Sequence, residues 1–118
     1  MTRKTLDQYY TPDEAVNDFK SYLKDHNISI NGIIFDPCYG NAAFSPLYRN
    51  GFLITNDLDP KTTTDYRLDM TYPENWEIVK GDKFDWTISN PPFNKALDII
   101  ENAIDHSRNV LMLLRLSF

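Results

Sequence analysis

The sequence predicts an α/β fold built around a mostly parallel sheet. Short apolar runs of strand length, at residues 32–35, 52–55 and 86–89, alternate with segments whose apolar residues recur at helical spacing. Each run stops at a cluster of Asn, Asp, Pro or Gly, the residues that punctuate strand ends. Strands separated by helical crossovers pair in parallel, and their ligands bind beyond the carboxyl ends. Residues 1–118 suffice for one domain with a single core.

Residues 1–8 are polar and expected to be loose. Thr11-Pro12-Asp13-Glu14 has the form of a helix start, with Thr as the cap, Pro at the first helical position and Glu three residues after the cap. Ala15, Val16, Phe19, Tyr22 and Leu23 then give one buried face through about Lys24. Asn31-Gly32 is a turn into the first strand. A short helix is expected over 43–49, closed by Asn50-Gly51 ahead of the second strand. Residues 61–76 are polar and contain Pro73, so loop is expected there. Lys80-Gly81-Asp82-Lys83 is a turn before the third strand. Ala96, Leu97, Ile100, Ala103 and Ile104 mark an amphipathic helix over 95–106, and the apolar run 109–116 is a further strand.

Chemistry concentrates in the loops after the strands. The first strand runs into Asp36-Pro37-Cys38-Tyr39-Gly40-Asn41, and the second into Asn56-Asp57-Leu58-Asp59-Pro60. An acid and a glycine after the first strand, with a further acid about 20 residues on, is the pattern of a nucleoside site in which the later acid holds ribose hydroxyls. Asp57 stands where that acid is expected. The three glycines of a dinucleotide fingerprint are absent, which argues against a pyrophosphate. The pattern fits a cofactor with a ribose and no phosphates, and S-adenosylmethionine is the candidate. The third strand ends in Asn90-Pro91-Pro92-Phe93. Proline lacks a backbone N–H and has a fixed φ, so this loop is rigid, rich in acceptors and poor in donors. With the flat face of Phe93 beside it, it suits a planar ring bearing an amino group.

Four blocks, in order, resemble those of the amino-directed DNA methyltransferases: Gln8-Tyr9-Tyr10-Thr11-Pro12, Asp36-Pro37-Cys38-Tyr39-Gly40-Asn41, Asn56-Asp57-Leu58-Asp59-Pro60 and Asn90-Pro91-Pro92-Phe93. The resemblance covers nearly the whole chain, from about Asp7 to Phe118. It implies a Rossmann-like S-adenosylmethionine-dependent methyltransferase fold and methyl transfer to the exocyclic amine of adenine in DNA. It further implies cofactor contacts from Tyr10, Thr11, Pro12, Asp36, Pro37, Gly40, Asp57, Leu58 and Asp69, and a catalytic loop of Asn90, Pro91, Pro92 and Phe93. Thr11 and Pro12 also have the capping explanation. Asp69 is placed like the acid that meets the cofactor's adenine amine, and simple solvation explains it equally well. Tyr10 and Tyr39 fit the cofactor side, or equally an aromatic core or rim. The family's first loop carries a second glycine where this chain has Ala42. The run 109–116 resembles the family's fifth strand, so the resemblance implies a sheet incomplete at the C-terminus, self-association or a complementing protein chain.

Composition bounds the alternatives. Hydrophobic content of 42% and charged content of 25% are ordinary for a globular domain. One cysteine, Cys38, excludes an internal disulfide, and a small packed residue is its simplest reading. His26 and His106 lie far apart in sequence, so no metal site is expected. No apolar run reaches membrane-span length and the N-terminus has no secretory pattern, so a cytoplasmic protein without membrane contact is expected. The net charge of −5 opposes approach to a polyanion, so the chain alone is expected to bind DNA poorly. Other readings are methylation of RNA adenine or of a protein glutamine, and a cofactor-binding or interaction module, such as half of a split enzyme, without activity of its own.

Overall fold

The computed structural model describes residues 12–40 and 44–114. Helix α1 spans Pro12–Asp25, with Asp13 and Glu14 in its first turn and Lys24 in its last, both favourable to the helix dipole. It ends in a Schellman-type turn. Asn27 takes the left-handed φ of 55°, and the Ile28 N–H donates to the Leu23 carbonyl at 2.8 Å.

Strands β1 (Gly32–Asp36), β2 (Gly51–Thr55), β3 (Phe84–Ser89) and β4 (Ser107–Met112) form one all-parallel sheet in the order β2-β1-β3-β4. This is an α/β architecture compatible with a Rossmann-like fold. β1 and β2 pair in register from Gly32 with Gly51 to Asp36 with Thr55. Gly51 permits a close approach of the two strand starts: a Cβ there would strike Ile34 Cδ1 and lie 2.9 Å from the Gly32 carbonyl oxygen.

Both faces of the sheet are covered, as parallel sheets require. On one face Ile34, Trp86 and Ile88 pack against Ala15, Val16 and Leu23 of α1 and against Phe44, Leu47 and Tyr48 around the 3-10 turn Ser45–Leu47. On the other face Phe35 and Phe84 meet helices α2 (Pro73–Val79) and α3 (Ala96–His106) through Trp76, Val79, Ile99 and Ala103. The Phe35 and Phe84 rings stack at 4.6 Å, Trp76 meets Phe35 edge-on at 5.2 Å, and the Trp76 indole N–H donates to the Met70 carbonyl at 2.8 Å. An aromatic cluster of this kind combines large apolar burial with a satisfied polar handle.

Three expectations are corrected. The segment 61–76 is not all loop, because Pro73 begins α2 rather than breaking it. At the first helical position its missing N–H has no partner to lose and its φ is preset for helix. The expected helix over 43–49 is instead a 3-10 turn at Ser45–Leu47 within the described part of that range, with Pro inside it. The final strand starts two residues early, at Ser107, and ends at Met112. It is the fourth strand among the described residues. Between β2 and β3 the described residues contribute only a single bridge, Asn56 with Tyr66. Among the described residues no helix is long and apolar enough to cross a membrane.

Candidate cofactor and acceptor site

From β1 the chain turns outward to β2, then returns past β1 to build β3 and β4 on its other side. The switch point between β1 and β3 is where open parallel sheets leave a crevice beyond their carboxyl ends. A cavity of about 350 Å³ opens there, within the range of small-ligand sites.

The loop after β1 reaches the cavity with Pro37, Cys38 and Gly40. Gly40 has a left-handed φ of 57°, which is costly for a residue with a Cβ. Its N–H donates to Asp57 Oδ2 at 2.7 Å, while Asp57 Oδ1 accepts from the Asp59 N–H at 2.8 Å. The two acids read from the sequence therefore differ in role. Asp57 and Leu58 line the cavity, whereas Asp36 lies behind it. Asp36 is 2% exposed and fully engaged: Ser89 Oγ donates to Oδ1 at 2.6 Å, Tyr48 Oη donates to Oδ2 at 2.6 Å, and the Cys38 N–H reaches Oδ1 at 3.1 Å. Burial raises the Asp36 carboxyl to about 6 against the pull of these donors, and the Asp57 charge adds to the rise. The Cys38 N–H also reaches Ser89 Oγ at 3.2 Å. Burial, reinforced by Asp36 and Asp57, pushes the Cys38 thiol up to about 12, so it is a neutral lining group and not a nucleophile.

Asn56 had no role in the sequence reading, yet it ties the floor of the cavity together. It is 1% exposed. Its side-chain amide donates to the Pro37 and Leu68 carbonyls, each at 2.9 Å, and accepts from the Leu68 N–H at 2.8 Å. A polar residue directly after an apolar strand was the available signal. Next to Leu68, Asp69 turns its Oδ1 onto the Thr71 N–H and hydroxyl at 3.0 and 2.7 Å. These donors, first the hydroxyl, lower the Asp69 carboxyl below its ordinary range, and the Lys95 charge adds to the effect. Asp69 is thus an ionised acceptor in the cavity wall.

The loop after β3 supplies Asn90 and Pro92 to the cavity, followed by Lys95 at the end of the 3-10 turn Phe93–Lys95. Asn90 Oδ1 is buried and has no hydrogen-bond partner among the described residues. An unsatisfied buried acceptor costs on the order of 1–3 kcal/mol, and because Asn90 is a residue of the cavity lining, a turn of its amide would offer that acceptor to a ligand donor. Pro91 is buried outside the lining, and Phe93, 57% exposed, presents its ring at the surface. Tyr10 and Thr11 lie outside the described residues, as do Asn41 and Ala42, and Pro12 is placed as the first residue of α1. No group of three or more His, Cys, Asp or Glu that could hold a metal ion occurs among the described residues. No family model, curated protein or solved structure matches the chain.

Proposed function

We propose that this chain is an S-adenosylmethionine-dependent methyltransferase domain of Rossmann-like fold that methylates the exocyclic amine of adenine in DNA. The observation that carries the reading is the buried, unpartnered side-chain oxygen of Asn90, a residue that lines one cavity together with Asp57 and Asp69. Asp57 is suited to ribose hydroxyls, Asp69 to a ring amine, and Leu58 and Pro92 to the faces of the ring. When bound, S-adenosylmethionine supplies an activated methyl group on a sulfonium.

The chain's own work is to hold and polarise the acceptor nitrogen. That nitrogen is a weak nucleophile because its lone pair is delocalised into the ring. The Asn90 side-chain oxygen takes one N–H and the Pro91 backbone carbonyl takes the other. Two acceptors in this arrangement localise the lone pair and stabilise the positive charge that grows as the N–C bond forms, and a proton then leaves the nitrogen. The rigid proline loop fixes both acceptors before the substrate arrives, so alignment needs little reorganisation. The exposed Phe93 ring provides a stacking surface for a base taken out of its helix, which favours a nucleobase over a protein amide. A cytoplasmic location goes with this reading.

The net charge of −5 favours a second reading, a cofactor-binding module that acts only with a partner supplying the basic DNA contacts. Calorimetry with S-adenosylhomocysteine, followed by label transfer from S-adenosylmethionine to an adenine-containing oligonucleotide, separates the two. Binding with Asn90-dependent transfer supports the enzyme, and binding without transfer supports the module. Absence of binding overturns both.

A further inference from the structure

Lys95 is a cavity residue to which neither the motifs nor the proposed chemistry gives a task. It is half-buried in the same wall as Asn90 and Pro92. Its backbone N–H is held by the Pro92 carbonyl at 3.0 Å, which fixes the start of its side chain relative to the proline loop. Among the described residues its ammonium forms no ion pair within 4.0 Å, although its charge is felt at both Asp69 and Cys38. The ammonium and the Asp69 carboxylate thus share one cavity without closing on each other. The same lining includes the apolar Met70 and Ile99.

An anionic acceptor and a cationic donor in one cavity with apolar neighbours match one kind of heterocycle edge. Adenine carries an amine, a donor, flanked on each side by a ring nitrogen that accepts. Guanine and hypoxanthine carry a carbonyl oxygen in place of the amine, and that oxygen would face the Asp69 carboxylate. We infer that Lys95 donates a hydrogen bond to a ring nitrogen beside the amine held by Asp69, so that the pair makes the cavity selective for adenine nucleosides. This deepens the reading of the cavity as a nucleoside-cofactor site and rests on it. Lys95 is then a specificity-determining residue of the cofactor pocket and takes no part in methyl transfer.

Calorimetry with adenosine, 1-deazaadenosine and 7-deazaadenosine tests this without needing turnover, since each analogue removes one ring acceptor. The parent chain is expected to bind one analogue about tenfold more weakly than adenosine. Lys95→Met is expected to bind adenosine about tenfold more weakly than the parent, and to bind that analogue and adenosine alike. Lys95→Arg, which keeps donors and charge, is expected to recover part of the discrimination. A penalty that persists in Lys95→Met, a parent indifferent to both analogues, or unchanged adenosine affinity in Lys95→Met overturns the role of Lys95 while leaving the nucleoside site intact. A parent that binds no adenosine at all overturns the nucleoside reading and this inference together.

Discussion

Ser89 and Asp36, 53 residues apart in sequence, meet at 2.6 Å, with the serine hydroxyl donating to the carboxylate. Each is the last residue of its strand. The bond therefore joins the carboxyl ends of β1 and β3 immediately behind the cavity, and Asn90 and Pro37 are the next residues out on either side. The buried pair gives the two loops of the site a common anchor. Tyr48 extends that anchor, since its hydroxyl also lies 3.3 Å from the Ile88 carbonyl.

Asp57 and Asp65 are predicted to show opposite phenotypes. Asp65 accepts from the Thr55 N–H and hydroxyl at 2.9 and 3.1 Å and does not line the cavity. Asp65→Ala should cost ~1 kcal/mol of stability and leave S-adenosylhomocysteine affinity within about twofold. Asp57→Ala should weaken that affinity by ~1.5–3 kcal/mol, because hydroxyl donors lose a charged acceptor. Calorimetry and urea unfolding on both variants check the crossed pattern, and equal affinities would remove Asp57 from the site.

Asn90→Ala should abolish methyl transfer, at least a hundredfold, in any assembly where the parent is active, and leave cofactor affinity largely unchanged. It should not destabilise the fold. The amide oxygen it removes is buried without a partner, so loss of about 1 kcal/mol of desolvation cost offsets the lost packing. A melting temperature clearly below the parent's would mean that the oxygen has a structural partner after all.

Asp36 predicts a pH dependence of stability. Its folded value, about 6, stands above the unfolded 3.8, so the folded state holds this proton more tightly. The contribution is favourable at low pH and is lost as pH rises from about 4 to about 6, after which it is level. Asp36→Asn removes the titration. Its stability relative to the parent should therefore rise by about 3 kcal/mol across that window, superimposed on a constant loss from the altered hydrogen bonds. Urea midpoints from pH 4 to 8 measure this, and a difference that does not change with pH refutes it.

Gly51→Ala should cost ~1–3 kcal/mol through overpacking, because the added methyl meets Ile34 and the Gly32 carbonyl where β1 and β2 begin. Denaturant unfolding of this variant, with cofactor affinity measured alongside, should show a stability loss and unchanged binding.

The strands were legible because each apolar run ends in residues with a mechanism for ending it. Asp57 and Gly40 were legible from spacing alone, and the structure joins them at 2.7 Å. Helix α2 was hidden because proline's effect depends on position: at the first turn it starts a helix, and only further in does it break one. Asp36 was recognisable as important, but sequence spacing cannot distinguish a carboxylate facing a cavity from one turned inward onto two hydroxyls. Ser89 and Tyr48 could not be foreseen as its partners, since a serine closing a strand and a tyrosine beside a short turn carry no local signal of a contact so distant in sequence. Lys95 was passed over because a lone lysine before an amphipathic helix is ordinarily solvated.

A second aspartate ties the opposite end of the same seam: Asp85 Oδ2 accepts the Ile33 N–H at 2.7 Å, across 52 residues. β1 and β3 are thus fastened by a carboxylate at each end, while β1 and β2 meet through a much shorter span of chain. Closing the longer loop costs more chain entropy before any contact rewards it. Loop-closure entropy therefore favours the β1–β2 and β3–β4 pairings, which close shorter loops, ahead of the β1–β3 seam. The cavity lies at the carboxyl end of that seam, so it forms only once the seam has closed. Amide protons at the two ends of the seam, Cys38 beside the cavity and Ile33 at the far end, should exchange with the global unfolding event only when a ligand holds the seam shut.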